Sequence, residues 1–464
     1  MRELTCDVAV IGAGTAGLAA ERRARKEGAT TLLIDPHFAG TTCATVGCMP
    51  SKLLIAAADA ARNAGDAEVF GIKAAPRIDG PQVMKRVQAE RDRFVDAVCE
   101  SIDDIPDDVR LTDRAHFTAP NRLALDGGDT IQASAVVIAT GSTPFIPPPF
   151  RDLGDVLLTN ETLFELQDLP RSVAVVGAGA IGLEMAQALA GLGVDVALFD
   201  QGTSLGGLSE EEVQTPLEAH LRDQMALHLG VEIDAERDGD RVRLHWGDQS
   251  RSFERVLMAT GRPPALDGLG LDAAGLNLDD NGTPIFDPCT LQCGDAPVFI
   301  AGDANADRPL LHEASAEGGI AGRNAAHFPN VSRSHRKVPL AICFSRPEVA
   351  LVGKRSGDGL ISATCSWADQ GRAKVEARNV GAAKIYAEAD GTLAGAELCA
   401  PGGEHLALLI AWAVQSGMNV DQALDLPIYH PTVAEGLRPA LQDLFQQCGC
   451  DTPWDREDDE RPGC

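Results

Sequence analysis

Val8-Ala9-Val10-Ile11-Gly12-Ala13-Gly14-Thr15-Ala16-Gly17 and Val173-Ala174-Val175-Val176-Gly177-Ala178-Gly179-Ala180-Ile181-Gly182 are two copies of one pattern. Each is an apolar run entering three glycines at fixed spacing, which reads as a strand, a tight turn and the start of a helix. In each copy the first glycine permits the turn, and the second lets a pyrophosphate approach the backbone at the helix N-terminus. The third lets the helix pack close to the strand. An apolar strand ending in an acid follows at the same offset in both, as Leu32-Leu33-Ile34-Asp35 and Ala197-Leu198-Phe199-Asp200. Such carboxylates accept hydrogen bonds from the diol of an adenosine ribose. A single glycine turn can start a helix with no ligand at all. Duplication of the fingerprint, the spacing and the acid points instead to two dinucleotide sites. Val136-Val137-Ile138-Ala139-Thr140-Gly141 and Val256-Leu257-Met258-Ala259-Thr260-Gly261 close the two units as strands running into Thr-Gly turns.

Between the first copy and its closing strand stands Cys43-Ala44-Thr45-Val46-Gly47-Cys48, followed by Met49-Pro50-Ser51-Lys52. Pro50 suits a first helical turn, and the run from Leu53 to Ala61 is apolar and helix-forming. Cys48 therefore sits near a helix N-terminus, where partial positive charge favours thiolate over thiol. Two thiols so placed read as a redox-active disulfide. Short-spaced cysteine pairs also serve as metal ligands or as buried structural residues, and the dinucleotide repeat tips the balance towards redox chemistry, with no metal centre expected.

Together these motifs resemble the class I pyridine nucleotide-disulfide oxidoreductases, most closely the dihydrolipoyl dehydrogenases, from about residue 4 to about residue 445. Val298-Phe299-Ile300-Ala301-Gly302-Asp303 matches the strand whose Asp holds the flavin ribitol. Leu311-His312-Glu313-Ala314 with Glu317-Gly318 resembles the helix start that approaches the flavin ring. Pro347-Glu348-Val349-Ala350-Leu351-Val352-Gly353 resembles the opening of an interface domain. Tyr429-His430-Pro431-Thr432-Val433-Ala434-Glu435 matches the family's His-Pro-Thr motif. The resemblance implies FAD and NAD as cofactors and a homodimer in which His430, oriented by Glu435, acts as acid and base on the thiols of the other subunit. It also implies that Cys43 is the sulfur attacked by substrate, that Cys48 lies beneath the flavin, and that Lys52 pairs with Glu184 beside flavin N5. An ordinary helix-to-helix salt bridge is the bland alternative for that pair. Two departures stand out. Gly40-Thr41-Thr42-Cys43 replaces the usual Gly-Gly-Thr-Cys near the flavin phosphates, and Gly261-Arg262-Pro263-Pro264-Ala265 lacks the usual Asn after Pro.

The expected fold class is α/β, with two Rossmann-like dinucleotide-binding domains plus a C-terminal α+β dimerisation domain. An FAD-binding domain is expected over 1–147 and 267–337, with an amphipathic helix around Val83, Val87, Phe94 and Val98. An NAD-binding domain is expected over 148–266 and an interface domain over 338–446, including a helix from His405 to Gln415. Basic, polar Ser332-Arg333-Ser334-His335-Arg336-Lys337 reads as a linker. The segment 447–464 reads as a flexible acidic tail carrying Cys448, Cys450 and Cys464.

A net charge of −28 over 464 residues argues against nucleic acid and anionic membranes as partners. No stretch is apolar enough to span a bilayer, and the N-terminus lacks a signal-peptide pattern. Twelve scattered cysteines suit a reducing cytoplasm in which one pair cycles. Asp200 would repel a 2′-phosphate, and Gln201-Gly202-Thr203-Ser204 offers no Arg to bind one, so NAD is expected over NADP. The helix after the disulfide presents Leu53, Leu54, Ile55 and Ala58, with no further basic charge between Lys52 and Arg62. This suits a lipoyl group or a lipoyl-bearing protein better than an anionic disulfide. Mercuric reductase, a reductase of another small disulfide, and a flavin redox sensor without turnover are the alternatives.

Overall fold

The computed structural model describes residues 2–449, and Cys450 and Cys464 lie outside them. The first apolar run becomes the strand Glu3–Ile11, parallel to Thr31–Ile34 on one side and to Thr130–Ile138 on the other. Val298–Ile300 joins Thr130–Ile138 and Arg110–Leu111 joins Thr31–Ile34, both in parallel, while Arg122–Leu125 and Ala115–Ala119 complete the sheet antiparallel. Val8, Val10, Leu33 and Ile138 are fully buried or nearly so, as expected for strands covered on both faces.

The second apolar run repeats this arrangement. Ser172–Val176 lies between Asp195–Asp200 and Arg255–Met258, with Ala226–Leu229 and Leu157–Leu158 at the edges, all parallel. In both sheets the glycine turn leaves the central strand where the chain order reverses. That switch point is where α/β sheets leave a crevice for a ligand. A small antiparallel sheet, Asp234–Asp238, Arg241–Trp246 and Gln249–Phe253, packs beside the second unit.

Residues 340–400 form a third large sheet, antiparallel throughout, in the order Leu340–Cys343, Glu348–Gly353, Leu393–Ala400, Ala382–Ala387, Ile361–Ser366. The helix Gly403–Gln415 covers it through Leu406, Ala407, Ile410 and Ala411 and leaves Leu408, Leu409 and Trp412 exposed. Glu397, fully buried in this sheet, accepts the N–H groups of Ser209 and Glu210 at 2.6 and 2.7 Å and pairs with Arg355 at 2.9 Å. It thereby fastens the third sheet to the start of the helix Glu211–Arg222 in the second unit.

Two sequence expectations need correction. The amphipathic helix spans Gly80–Asp103, but its apolar positions are not all covered. Met84, Val87 and, in the last turn, Ile102 are buried, whereas Phe94 between them is exposed. The stretch 332–337 has no regular structure, yet it is not simply solvated. The side chain of Arg336 turns inward to Glu313 and Glu317 at 2.9 and 2.5 Å, since two buried carboxylates need a cation beside them.

Candidate functional site

The three glycines of each fingerprint behave differently. A Cβ on Gly12 would lie 2.4 Å from the Ala139 carbonyl oxygen, and one on Gly177 would lie 2.3 Å from that of Ala259. Both residues also have φ above +100°. A Cβ on Gly17 or Gly182 would come within 1.8 Å of the preceding turn's carbonyl. The protein's own backbone thus demands those four glycines. Gly14 and Gly179 have nothing within 4 Å of the same position, so each is a space beside a helix N-terminus that the fold itself does not fill. The two acids match as well. Asp35 accepts from the Ala13 N–H at 2.9 Å and Asp200 from the Ala178 N–H at 2.5 Å, each across 22 residues. Beside the first turn, the hydroxyl of Thr140 is buried without a hydrogen-bond partner, and Gly141 again faces open space. Open backbone at two helix starts, an orphaned hydroxyl and a carboxylate at each strand end fit two dinucleotides.

Cys43 belongs to a short helical turn, Thr42–Thr45, started by the Thr41 side chain, and Cys48 is the first residue of the helix Cys48–Gly65. Gly47 closes the loop between them, where a Cβ would meet the Thr42 carbonyl oxygen at 2.8 Å. The two cysteines are free in this structure, and they are unlike. A hydrogen bond from Cys43, helped by the Lys52 ammonium, brings Cys48 down to about 6. The same hydrogen bond, together with burial, holds Cys43 far above the ordinary thiol range.

One turn along, the Lys52 ammonium is 2.8 Å from Glu184, which the second fingerprint's helix, Ala180–Gly191, carries at 5% exposure. Glu184 also accepts the Phe344 N–H at 2.9 Å, and Lys52 stands 4.4 Å above the Phe344 ring. Phe344 was not foreseen, because nothing in its neighbours marks it. The Arg262 guanidinium was also missed. It donates to Asn160 at 2.7 Å, to the Ser142 carbonyl at 2.7 Å and to the Ser142 hydroxyl at 3.2 Å. Asn160 in turn donates to the Val46 carbonyl inside the cysteine loop, and Ser142 donates to Asp303 at 2.8 Å. One arginine therefore ties the second unit to the cysteine loop and to Asp303.

Asp303 follows Val298–Ile300, in a turn braced by buried Glu317, which accepts the Gly302 N–H at 2.8 Å and the Asn305 side chain at 2.7 Å. Leu311 and His312 open the helix Leu311–Ala326 and are exposed. The Thr-Gly turn at Gly261 takes an N–H from Phe145 at 3.0 Å. His430 Nδ1 lies 2.8 Å from Glu435, whose other oxygen accepts the Thr432 N–H at 2.9 Å. These two contacts, Thr432 first, hold the Glu435 carboxyl below its usual range. The His430 side chain is 81% exposed, and within one chain no hydrogen bond joins it to Cys43 or Cys48 among the described residues. The structure thus brings Cys43, Cys48, Lys52 and Glu184 together and leaves the His430–Glu435 pair projecting outward.

Residues 6–319 match the pyridine nucleotide-disulphide oxidoreductase family model and residues 339–441 match its dimerisation domain. The chain is 29% identical to dihydrolipoyl dehydrogenase of Halobacterium salinarum, over 94% of this chain and 95% of that one. It is 31% identical to mercuric reductase of Streptomyces lividans, with the same coverage of both chains. Among solved structures, LpdA from Mycobacterium tuberculosis superposes with a TM-score of 0.81 at 24% identity, covering 96% of this chain and 100% of that one. The HOCl-induced flavoprotein disulfide reductase RclA from Escherichia coli superposes at 0.79 and 20% identity, covering 94% and 99%. With the duplicated dinucleotide turns, the cysteine pair and matches over most of its length, the chain belongs to the pyridine nucleotide-disulphide oxidoreductase family, flavoproteins whose cofactors are FAD and NAD(H).

Proposed function

We propose that this protein passes electrons between a dihydrolipoyl-type dithiol and NAD through the Cys43–Cys48 pair. The observation that carries this reading is the asymmetry of the two thiols. Cys48 is set up to persist as a thiolate, while Cys43 is the sulfur that gives and takes a proton. In this reading residues 1–147 and 267–337 bind FAD, 148–266 bind NAD, and 338–446 join two copies in the cytoplasm.

His430 of the partner subunit, oriented by Glu435 in the same loop, takes a proton from the substrate dithiol. The thiolate so formed attacks the Cys43 sulfur of the oxidised pair. The Cys43–Cys48 bond breaks, and Cys48 leaves as the thiolate that Lys52 favours. The second substrate thiol gives up its proton as its sulfur closes the substrate disulfide and releases Cys43, so that of the two substrate protons one ends on Cys43 and the other on His430. Bound FAD supplies the electron relay from the thiols to the nicotinamide. Gly12, Gly14, Gly17, Asp35, Thr42, Thr140, Gly141, Asp303, Leu311 and His312 form its cradle, with Lys52 at the ring. Gly177, Gly179, Gly182, Asp200 and Gly261 form that of NAD.

A lipoyl substrate is favoured over glutathione by the fate of the first arginine after the disulfide. Arg62 is only 15% exposed and donates to the Gln187 carbonyl, so it offers no charge to an anionic disulfide. Steady-state oxidation of NADH with lipoamide, oxidised glutathione and Hg(II) tests the reading. Lipoamide should be turned over fastest. Faster turnover of either competitor, or reduction of the protein without turnover of any of them, refutes it.

A further inference from the structure

A cavity of ≈ 320 Å³ opens between the helices Thr15–Lys26 and Leu311–Ala326 and the segment 334–337. Its walls carry Arg23, Arg323, His335, Arg336 and Lys337 against a single acid, Glu313. In a chain of net charge −28, such a concentration of basic side chains runs against the overall field. The acid is already engaged, since its two oxygens take Arg308 at 3.2 Å and Arg336 at 2.9 Å. Arg336 is held further by Glu317 and Asp307, and Arg23 pairs with Glu27 through Nε alone.

Arg323 and Lys337 differ. Arg323 uses one terminal nitrogen on the Ser332 carbonyl and the Ser334 hydroxyl, both at 2.9 Å, and less closely on Asn324. No carboxylate reaches Arg323 or Lys337 within 4.0 Å among the described residues. The Nε atoms of Arg323 and Arg336 are buried without any hydrogen-bond partner. An unpaired buried donor is costly, and both guanidinium groups line this cavity with hydrogen-bonding capacity left over.

We propose that this cavity binds a phosphate group, as the free ion or as the ester of a small molecule, between Arg323 and Lys337. Donors on two helices and the intervening segment approach from several sides. A tetrahedral oxyanion can meet such donors, whereas a carboxylate presents its two oxygens in one plane. The volume exceeds that of a phosphate ion and leaves room for a small organic remainder.

Isothermal titration of the flavin-loaded protein, with NAD present to fill the other phosphate-binding turn, tests this. Inorganic phosphate and glycerol 2-phosphate are the probes, and acetate at matched ionic strength is the control. Phosphate should bind at one site per chain. Arg323→Gln and Lys337→Gln should each weaken it about tenfold or more while leaving NADH oxidation and Tm at parental values. Should Arg323→Gln fail to fold, Lys337→Gln, on an exposed side chain, decides alone. Equivalent binding of glycerol 2-phosphate identifies an ester as occupant, and its exclusion identifies the free ion. No saturable heat from either phosphate, equal heat from acetate, or binding that survives the substitutions overturns the proposal.

Discussion

The ionisation of Cys48 is the most exposed quantitative consequence of the site. With its pKa brought from the ordinary 9.0 to about 6, about nine-tenths of Cys48 is thiolate at pH 7, against about one-hundredth for an unperturbed thiol. Only thiolate is alkylated at a useful rate, so reactivity should be complete above about pH 7, halved near 6 and almost gone below 5. Half-buried Cys6 and buried Cys293, Cys343 and Cys365 do not compete, because desolvation pushes each up to about 12. The largest contribution is the hydrogen bond from Cys43 and the next favourable one is Lys52. Cys43→Ala should therefore raise the midpoint most, and Lys52→Met should raise it by about one unit. The assay is iodoacetamide modification of the dithiothreitol-reduced protein across pH 4.5 to 10, read by peptide mass at Cys48. A parental midpoint near 9, or one unmoved by Cys43→Ala, refutes the reasoning.

Gly14→Ala and Gly17→Ala should separate ligand from fold. The first has open space for its new methyl and should fold but lose bound FAD, whereas the second meets a carbonyl at 1.8 Å and should lose about 3 kcal/mol of stability; urea unfolding and flavin content distinguish them. Removing the Glu397 side chain should cost about 2–3 kcal/mol, because it leaves partly exposed Arg355 and two part-buried N–H groups without their acceptor; a Tm drop of less than a few degrees contradicts this. His430→Gln should lower lipoamide turnover by about 10²–10⁴-fold while Tm holds. NADH should be strongly preferred to NADPH, and comparable kcat/KM with both would refute the role given to Asp200. Truncation after Gln447 should leave lipoamide turnover nearly unchanged.

The parts of the site that could be read in the sequence are those whose chemistry forces a local pattern. The first glycine of each fingerprint is fixed by a carbonyl at the end of the closing strand and the third by a carbonyl of its own turn, and the strand-ending acids by a constant 22-residue reach. Lys52 and Glu184 could be paired because each lies on a helix announced by a separate motif. Arg262, Asn160 and Phe344 were invisible for the opposite reason. Each is a common residue in a loop or strand, and what matters is a contact made 102 to 160 positions away. Phe94 misled because helical periodicity shows which positions are apolar but not which of them a neighbour covers. Arg336, within a run that reads as solvated, is drawn inward by carboxylates that sit on an otherwise apolar-facing helix side.

Mixing two inactive variants shows whether one working site is built from two subunits. Cys48→Ser lacks a working pair but keeps His430, and His430→Gln keeps the pair but lacks the base. If each site joins the cysteines of one chain to His430 of the partner subunit, a mixed dimer regains one complete site. After co-refolding equal amounts, NADH-dependent lipoamide turnover should return to about one-quarter of the parental value, since about half the dimers are mixed and each has one active site of two. Activity no higher than the mean of the two variants alone would contradict the account, because it would mean that each chain carries its own complete site or that these residues do not form one.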